Sequence, residues 1–584
     1  MKHFYLLLAS LTLTSLALPQ GIGEAEIVYE GHVSGPDSYQ IRDVAKAPNG
    51  DLVFLGDIGS TDSDIWVVRT TATGSVVWNR TFDHPGGSGY ALGQRLAIGD
   101  DGKIYIVGVI EGTASLRDFY YLALSPIGIK TAERVVDHFN NDYDVGDIEV
   151  AQDGTVLFAG SGLSTERPIV VKMDANLNTL WAYNMGSPAA TGNQRAGELE
   201  IASDGSVIAS AEYHDGSQVD VQFVRLQQNG GLVYEKILGD PTTNDAGPKV
   251  MLGSDGYTYF CYTRGKFTLN VQARLSQYDA AGNFQWNKQE SGYQEPSFVE
   301  TPVGEFAYAC VQDGGGYSTK FSGFDTSGTI LWNRTLTHPN VDFHSLDELV
   351  CDDEGYLTAL SYISLAGKVD GDWLVTSLTN GGVPLYEWEF DTGVGFYDLP
   401  TGIVPISSAE VVVTGFTSSA NSETHTFRLR PALNIKPTSS TLRFGQLTLG
   451  GLSSLYSDDN DYYEVCKFIV PNQTIPPINV EFDSSIPLEY PLIGLTFETI
   501  VKANTPGLQQ DTQLWNWLTS SWDTSTLTPL SLAEAKTVVN GLPDPHVQSM
   551  TRNVKSRIRV RQVGPVVVSL WCVEIDKVGW RLAP

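Results

Sequence analysis

Apolar and polar positions alternate along this chain in short runs, and the runs themselves recur with a fixed period. In each copy an acidic or polar residue and a glycine introduce an apolar strand. A second apolar strand follows, then a turn glycine, then an aromatic. The anchors are Asn49-Gly50, Asp101-Gly102, Asp153-Gly154, Asp204-Gly205, Asp255-Gly256 and Glu354-Gly355, with Val303-Gly304 and Ser408-Ala409 as degenerate copies. The anchor positions step by 52, 52, 51, 51, 48, 51 and 54 residues. Constant steps of this size predict an array of one supersecondary unit.

Each copy reads as four short strands. In the first, Asp51-Leu-Val-Phe-Leu55 precedes Ile65-Trp-Val-Val-Arg69, a turn at Gly74 and Val76-Val-Trp78, and Leu96-Ala-Ile98 enters the next copy. β-formers bounded by Gly, Asp, Asn and Ser are strand and hairpin signals, and no comparable stretch has helical periodicity. The pattern predicts an all-β chain with an eight-bladed β-propeller, in which radial repetition leaves only short sheet edges. The aromatic lies four residues past the turn glycine at Gly74/Trp78, Gly230/Tyr234, Gly282/Trp286, Gly328/Trp332 and Gly382/Tyr386; Trp181 holds this place in the third copy and Ala132 in the second. These aromatics are expected to pack between blades. The eighth copy, 401–430, has no aromatic strand, whereas the N-terminal segment Glu26-Ile-Val-Tyr29 is that strand alone. The N-terminal strand is therefore expected to complete blade eight and close the ring without an exposed edge.

The segments 325–335, Asp279-Ala-Ala-Gly-Asn-Phe-Gln-Trp286 and Ala72-Thr-Gly-Ser-Val-Val-Trp78 resemble bacterial tandem-repeat propellers of the quinoprotein-like class, over residues 26–430. Dehydrogenases of that class bind PQQ and calcium beneath a disulfide of neighbouring cysteines. This chain has no Cys-Cys pair, so the resemblance is carried to the fold alone and no cofactor is expected.

After Arg430 the period stops. Residues 431–437 read as a linker and 438–584 as a second module, a β-sandwich, with strands at 442–444, 462–470, 478–482, 495–501, 556–561 and 566–573 and a helical turn near Leu532–Val539. Ser457-Asp-Asp-Asn-Asp-Tyr-Tyr463, Leu514-Trp-Asn-Trp517 with Trp522, and the ending from Arg561 through Trp571, Asp576 and Trp580 resemble a C-terminal module recurrent in exported planctomycete-like and armatimonad-like bacterial proteins. That resemblance implies export and no particular activity.

Met1-Lys-His followed by an apolar run from Phe4 to Leu18 reads as a secretory signal peptide over 1–23, so a periplasmic or extracellular location is expected. Of five cysteines, Cys261, Cys310 and Cys351 fall in or beside propeller strands. Cys466 and Cys572 pair if their strands adjoin and are otherwise buried thiols. A net charge of −31 argues against nucleic acid and anionic lipid as partners; the expected partner is an extracellular ligand, a glycan or a protein.

No nucleophile elbow, His-Glu-x-x-His or phosphate loop is present. His84 and His338, in Asp83-His-Pro85 and Thr337-His-Pro339, read as shared turn chemistry. Asp57, Asp62 and Asp64, and Asp458, Asp459 and Asp461, form two acidic loops that lack the spacing of a calcium loop, so no metal is expected. Lys555, Arg557, Arg559 and Arg561 alternate with Val554, Ser556, Ile558 and Val560, placing four cations on one strand face; they either pair with carboxylates across strands or take an anionic glycan.

Seven residues before each anchor stands a column: Asp43, Arg95, Asp147, Glu198, Lys249, Ser297, Glu348 and, in the eighth copy, Gly402. On the strand entering each blade this column would ring one mouth of the central channel. There the charged members form the candidate ligand site, or else they cap strand ends and pair with neighbouring blades. The expected function is a secreted, non-catalytic binding or scaffolding protein. The alternative is an extracellular propeller enzyme, either a quinoprotein-like dehydrogenase or a carbohydrate-active hydrolase or lyase.

Overall fold

The computed structural model describes residues 23–583 apart from a series of short segments. The apolar run before residue 23, together with Asp62, His84, Ser408, Asp458, Asp459 and Asp461, lies outside the described residues.

The periodic region is a succession of antiparallel four-stranded sheets joined in sequence order, the arrangement of a repeat propeller. The first consists of Tyr39–Lys46, Leu52–Ile58, Asp64–Thr70 and Val76–Phe82. Five more begin at Tyr90, Asp142, Ala196, Ala246 and Tyr293, and each is a separate sheet. The seventh set of four strands begins at Val341. The eighth contributes Tyr397–Ser407, Glu410–Ser418 and Glu423–Ile435 from its own sequence. Its fourth strand is Gly23–Val33, paired antiparallel with Glu423–Ile435 from Glu24 opposite Ala432 to Val33 opposite Thr424. The N-terminal segment thus supplies the strand that the eighth copy lacks. The last set also touches the first: Val404 and Val412 share a core cluster with Ile41, Val44, Leu52 and Phe54, and the Lys46 ammonium donates to the Ile406 carbonyl at 3.0 Å.

The turn glycines meet two demands at once. All lie at positive φ, between 74° and 84° for Gly74, Gly128, Gly230, Gly282, Gly328 and Gly382, where a Cβ is disfavoured. The aromatic of the preceding unit also lies against the glycine. A Cβ on Gly128 would meet Trp78 at 2.9 Å, one on Gly230 Trp181 at 2.8 Å, one on Gly328 Trp286 at 2.8 Å and one on Gly382 Trp332 at 2.3 Å. Three of the four indole N–H groups reach the carbonyl two residues before that glycine: Trp78 to Pro126 at 3.1 Å, Trp181 to Gln228 at 2.9 Å and Trp286 to Thr326 at 3.2 Å. The aromatics therefore join neighbouring units, as the sequence pattern implied.

The C-terminal region forms two antiparallel sheets. In one, Cys572–Ala583 pairs with Tyr463–Cys466 and with Gly494–Ala503, which in turn pairs with Ala535–Gly541. In the other the order is Ser439–Phe444, Ile478–Ser485, Asn553–Gln562, Leu508–Asn516 and Ser521–Asp523. Two expectations are corrected and one open alternative is decided. The helical turn read near Leu532–Val539 falls largely on the strand Ala535–Gly541, and a helical turn lies at Pro543–His546 instead. Glu423–Ile435 continues through most of the segment read as a linker, and its end pairs with Cys572–Ala583. Cys466 and Cys572 sit directly opposite one another on adjoining strands and form a disulfide, while Cys261, Cys310 and Cys351 are free. One core cluster runs from Trp373 and Phe427 of the periodic region to Phe497 and Trp580 of the C-terminal sheets. Among the described residues no helix is long and apolar enough to cross a membrane.

Candidate functional site

The column falls where each entering strand breaks register with its neighbour. The ladder shifts between Ile41 and Asp43, Gly93 and Arg95, Val145 and Asp147, Ala196 and Leu199, Ala246 and Lys249, Gln294 and Ser297, Leu346 and Glu348, and Pro400 and Gly402. A β-bulge leaves a residue unpaired and re-aims the side chains beside it. The same bulge in all eight copies places one residue per copy at an equivalent point, with a side chain in the first seven.

Three column residues accept a backbone N–H of the next unit. Asp43 accepts the Leu96 N–H at 2.8 Å, Asp147 the Leu199 N–H at 3.1 Å, and the Ser297 hydroxyl the Leu349 N–H at 3.2 Å. Glu149 repeats the device with Ile201 at 3.2 Å, and Glu200 with Leu252. Asp43 and Asp147 also accept the N–H of the following residue, each at 2.8 Å. For these members, capping and pairing between units is the role the geometry gives.

The remaining members converge. Lys249 pairs with Glu198 at 3.2 Å and donates to the Asp347 carbonyl, two units on, at 3.1 Å. Arg95 Nε donates to the Gly146 carbonyl at 3.2 Å. Glu348 is solvent-exposed, yet burial pushes its carboxyl up to about 7, with Lys249 and Arg95 drawing it down and Glu198 and Asp43 pushing it further up. Side chains of the first, second, fourth and fifth units thus act on one carboxyl of the seventh. Asp347, in the seventh bulge, is pushed up to about 8 by burial, helped by Glu295, and Asp147 to about 7 by burial, helped by Glu198. Burial alone would push Lys249 down; the carboxylates of Glu198 and Glu348 outweigh it and hold the ammonium above its ordinary value. Groups that keep solvent contact while desolvation dominates their titration are those expected along a narrow passage.

Sequence spacing found the column but missed Asp347 and the staples Glu149 and Glu200. The available signal was the 52-residue step from each staple to the N–H it accepts. Other sequence candidates resolve differently. Asp57 is buried and engaged, bound to Arg42 at 2.7 Å and accepting the Gly93 N–H at 2.9 Å, so it is not a solvated loop acid. His338 packs against the buried ring of His344 with centroids 5.3 Å apart. Asp372, Asp391 and Asp398 bring carboxylate oxygens within 4.8 Å of one another. In the same group Asp398 accepts the Thr417 hydroxyl at 2.6 Å. A cleft of ≈ 310 Å³ between the third and fourth units is lined by Glu149, Lys172, Asp204 and Gln228, and no column residue lines it.

No known family profile matches the chain, and no curated protein does. Among solved structures the chain is similar to a protein of unknown function from Dyadobacter fermentans, with 10% identity over 70% of this chain and 99% of that one and a TM-score of 0.34. It is also similar to a PL25 ulvan lyase, with 8% identity over 57% and 90% and a TM-score of 0.35. A third is an α-L-arabinofuranosidase from Fusarium graminearum, with 12% identity over 50% and 94% and a TM-score of 0.31. At these scores the likenesses carry nothing about what this chain does.

Proposed function

We propose that residues 24–430 form an eight-bladed β-propeller closed by the N-terminal strand, that 438–584 form a β-sandwich, and that the exported protein binds an extracellular ligand at the channel mouth. The observation that supports this reading is the recurrence of the bulge at the column in every copy, with Glu198, Lys249, Asp347, Glu348 and Arg95 turned toward one place. Acceptors and donors set close together in a concavity suit a hydroxyl-rich glycan. Screening the full chain against an array of neutral oligosaccharides tests it. The double variant Glu198→Gln, Glu348→Gln should then lose binding with its melting profile kept, because neither residue staples neighbouring backbone. Unchanged binding by that variant would place the site elsewhere.

A second reading, a carbohydrate-active hydrolase or lyase, is favoured by the carboxyls of Glu348 and Asp347, which at about 7 and about 8 carry protons near neutral pH as a general acid does. Release of reducing or unsaturated ends from a bound glycan, abolished by Glu348→Gln, would favour it over binding alone.

A further inference from the structure

The outward face of the second C-terminal sheet carries the four-cation strand. Asn553–Gln562 runs between Ile478–Ser485 and Leu508–Asn516, with Asp483 opposite Lys555, Glu481 and Gln513 opposite Arg557, Asp511 opposite Arg559 and Gln509 opposite Arg561. The intervening Val554, Ile558 and Val560 are buried in the core. Most cations on this face have carboxylates. Lys555 pairs with Glu481 at 2.9 Å and Asp483 at 3.7 Å, Arg443 takes Glu481 at 2.9 Å, and Arg559 holds Asp511 through Nε at 3.1 Å and through Nη2. Cross-strand pairing therefore accounts for these members of the run.

Arg557 is the exception. Its own opposite carboxylate, Glu481, is engaged by Arg443 and Lys555. Its Nε donates to the amide oxygen of Gln513 at 2.7 Å, and among the described residues its terminal amines have no hydrogen-bond partner. The guanidinium lies over the ring of Trp522 at 4.2 Å. Trp522 meets Trp515 edge-on at 5.2 Å, and both indoles are half-buried. Stacking on an indole fixes the plane of the fork, and an Arg fork so held matches a carboxylate or sulfate with two parallel bonds. Burial, aided by Arg559, pulls the guanidinium down to about 10, so it gains from an incoming anion. Among the described residues the face also has five cations (Arg443, Lys555, Arg557, Arg559 and Arg561) against three carboxylates (Glu481, Asp483 and Asp511), in a chain of net charge −31.

We propose that this face binds an acidic polysaccharide, the terminal amines of Arg557 receiving a uronate or sulfate group and the indoles of Trp515 and Trp522 flanking the sugar. Carbohydrate is favoured over a protein partner because the fork is bordered by an indole and the amide of Gln513, a surface with polar groups rather than an apolar groove. The proposal is independent of the channel site. Affinity electrophoresis of the full chain through polygalacturonate, dextran sulfate and neutral dextran tests it, the first two distinguishing uronate from sulfate. Retardation is expected in at least one acidic polymer and not in dextran, weakening about tenfold or more in Arg557→Lys, which keeps the charge and loses the fork. Trp522→Ala should weaken it comparably, and Arg80→Ala, an exposed cation on the first unit, should not. Retention of full affinity by Arg557→Lys, equal retardation in neutral dextran, or free migration through both acidic polymers would each overturn the proposal. Arg557→Lys decides the matter should Trp522→Ala fail to fold.

Discussion

Leu177 occupies the turn position that glycine fills in the neighbouring units, at φ 63°, and belongs with Ala132 to one packed cluster between the second and third units. Ala132 is the one place in the second unit where the aromatic is missing. The two exceptions to the repeat are one exchange: the smaller residue of the earlier unit leaves room that the larger residue of the later turn fills. Leu177 is only 2% exposed.

That exchange predicts non-additivity. Leu177→Gly should cost about 1–3 kcal/mol, the cavity outweighing the relief of left-handed strain. Ala132→Trp alone should cost a similar amount by overpacking. The double variant, which restores the pattern of the other units, should recover most of the loss in chemical denaturation. Costs that simply add would count against the exchange.

Two glycines of like φ separate strain from packing. At Gly256, φ 81°, a Cβ meets nothing within 4 Å; at Gly382, φ 74°, it meets the Trp332 ring at 2.3 Å. Substitution by alanine should cost about 1 kcal/mol at Gly256 and about 3 kcal/mol at Gly382, read from denaturant midpoints. Equal losses would mean the indole gives way freely.

Stability should fall as pH rises between about pH 4 and pH 8. Asp147 goes from 3.8 to about 7, Glu348 and Glu200 from 4.5 to about 7, and Asp347 from 3.8 to about 8. In that window the folded protein holds protons that the unfolded chain has released, so their contribution is full below about pH 4 and lost as pH passes their folded values. The turn aspartates Asp153, Asp174 and Asp204 act oppositely. Hydrogen bonds lower them, so their contribution is lost only as pH drops below the ordinary carboxylate range. Melting temperatures across this range should decline toward pH 8, less steeply in Glu348→Gln; a rising profile would contradict the desolvated column.

Removing residues 24–35 should open the last sheet. The deletion takes away the partner of Glu423–Ile435 from Ala432 to Thr424 and leaves an unpaired edge. Aggregation, or melting about 10 °C or more below the full chain, is expected by light scattering and calorimetry. An unchanged transition would show that the strand is dispensable.

What could be read in the sequence follows from what recurs. The turn glycine, its aromatic and the bulged column repeat because each unit meets the same neighbour in the same way, so spacing alone exposes them. The role of a column member depends on its chemistry at that point. Asp147 reaches an N–H of the next unit, whereas Glu198, its counterpart there, meets Lys249 instead. The C-terminal sheets have no period, and their strand order is not sequential. Which strands adjoin, and hence the disulfide of Cys466 with Cys572 and the engagement of Glu481 that leaves Arg557 its open fork, is fixed by long-range pairing that no local pattern announces.

Glu423–Ile435 receives the N-terminal strand along most of its length and the C-terminal strand Cys572–Ala583 at its end. This imposes an order on biosynthesis. The strand Gly23–Val33 finds its antiparallel partner only after some 400 further residues, Val33 with Thr424 and Glu24 with Ala432, which at ordinary elongation rates is a wait of about 20–80 s. Seven sheets can assemble locally as they emerge, but the last must remain three-stranded until the two distant ends of the periodic region meet. The growing chain therefore has a defined period of vulnerability, and a helper that shields one exposed strand edge would guard its assembly best.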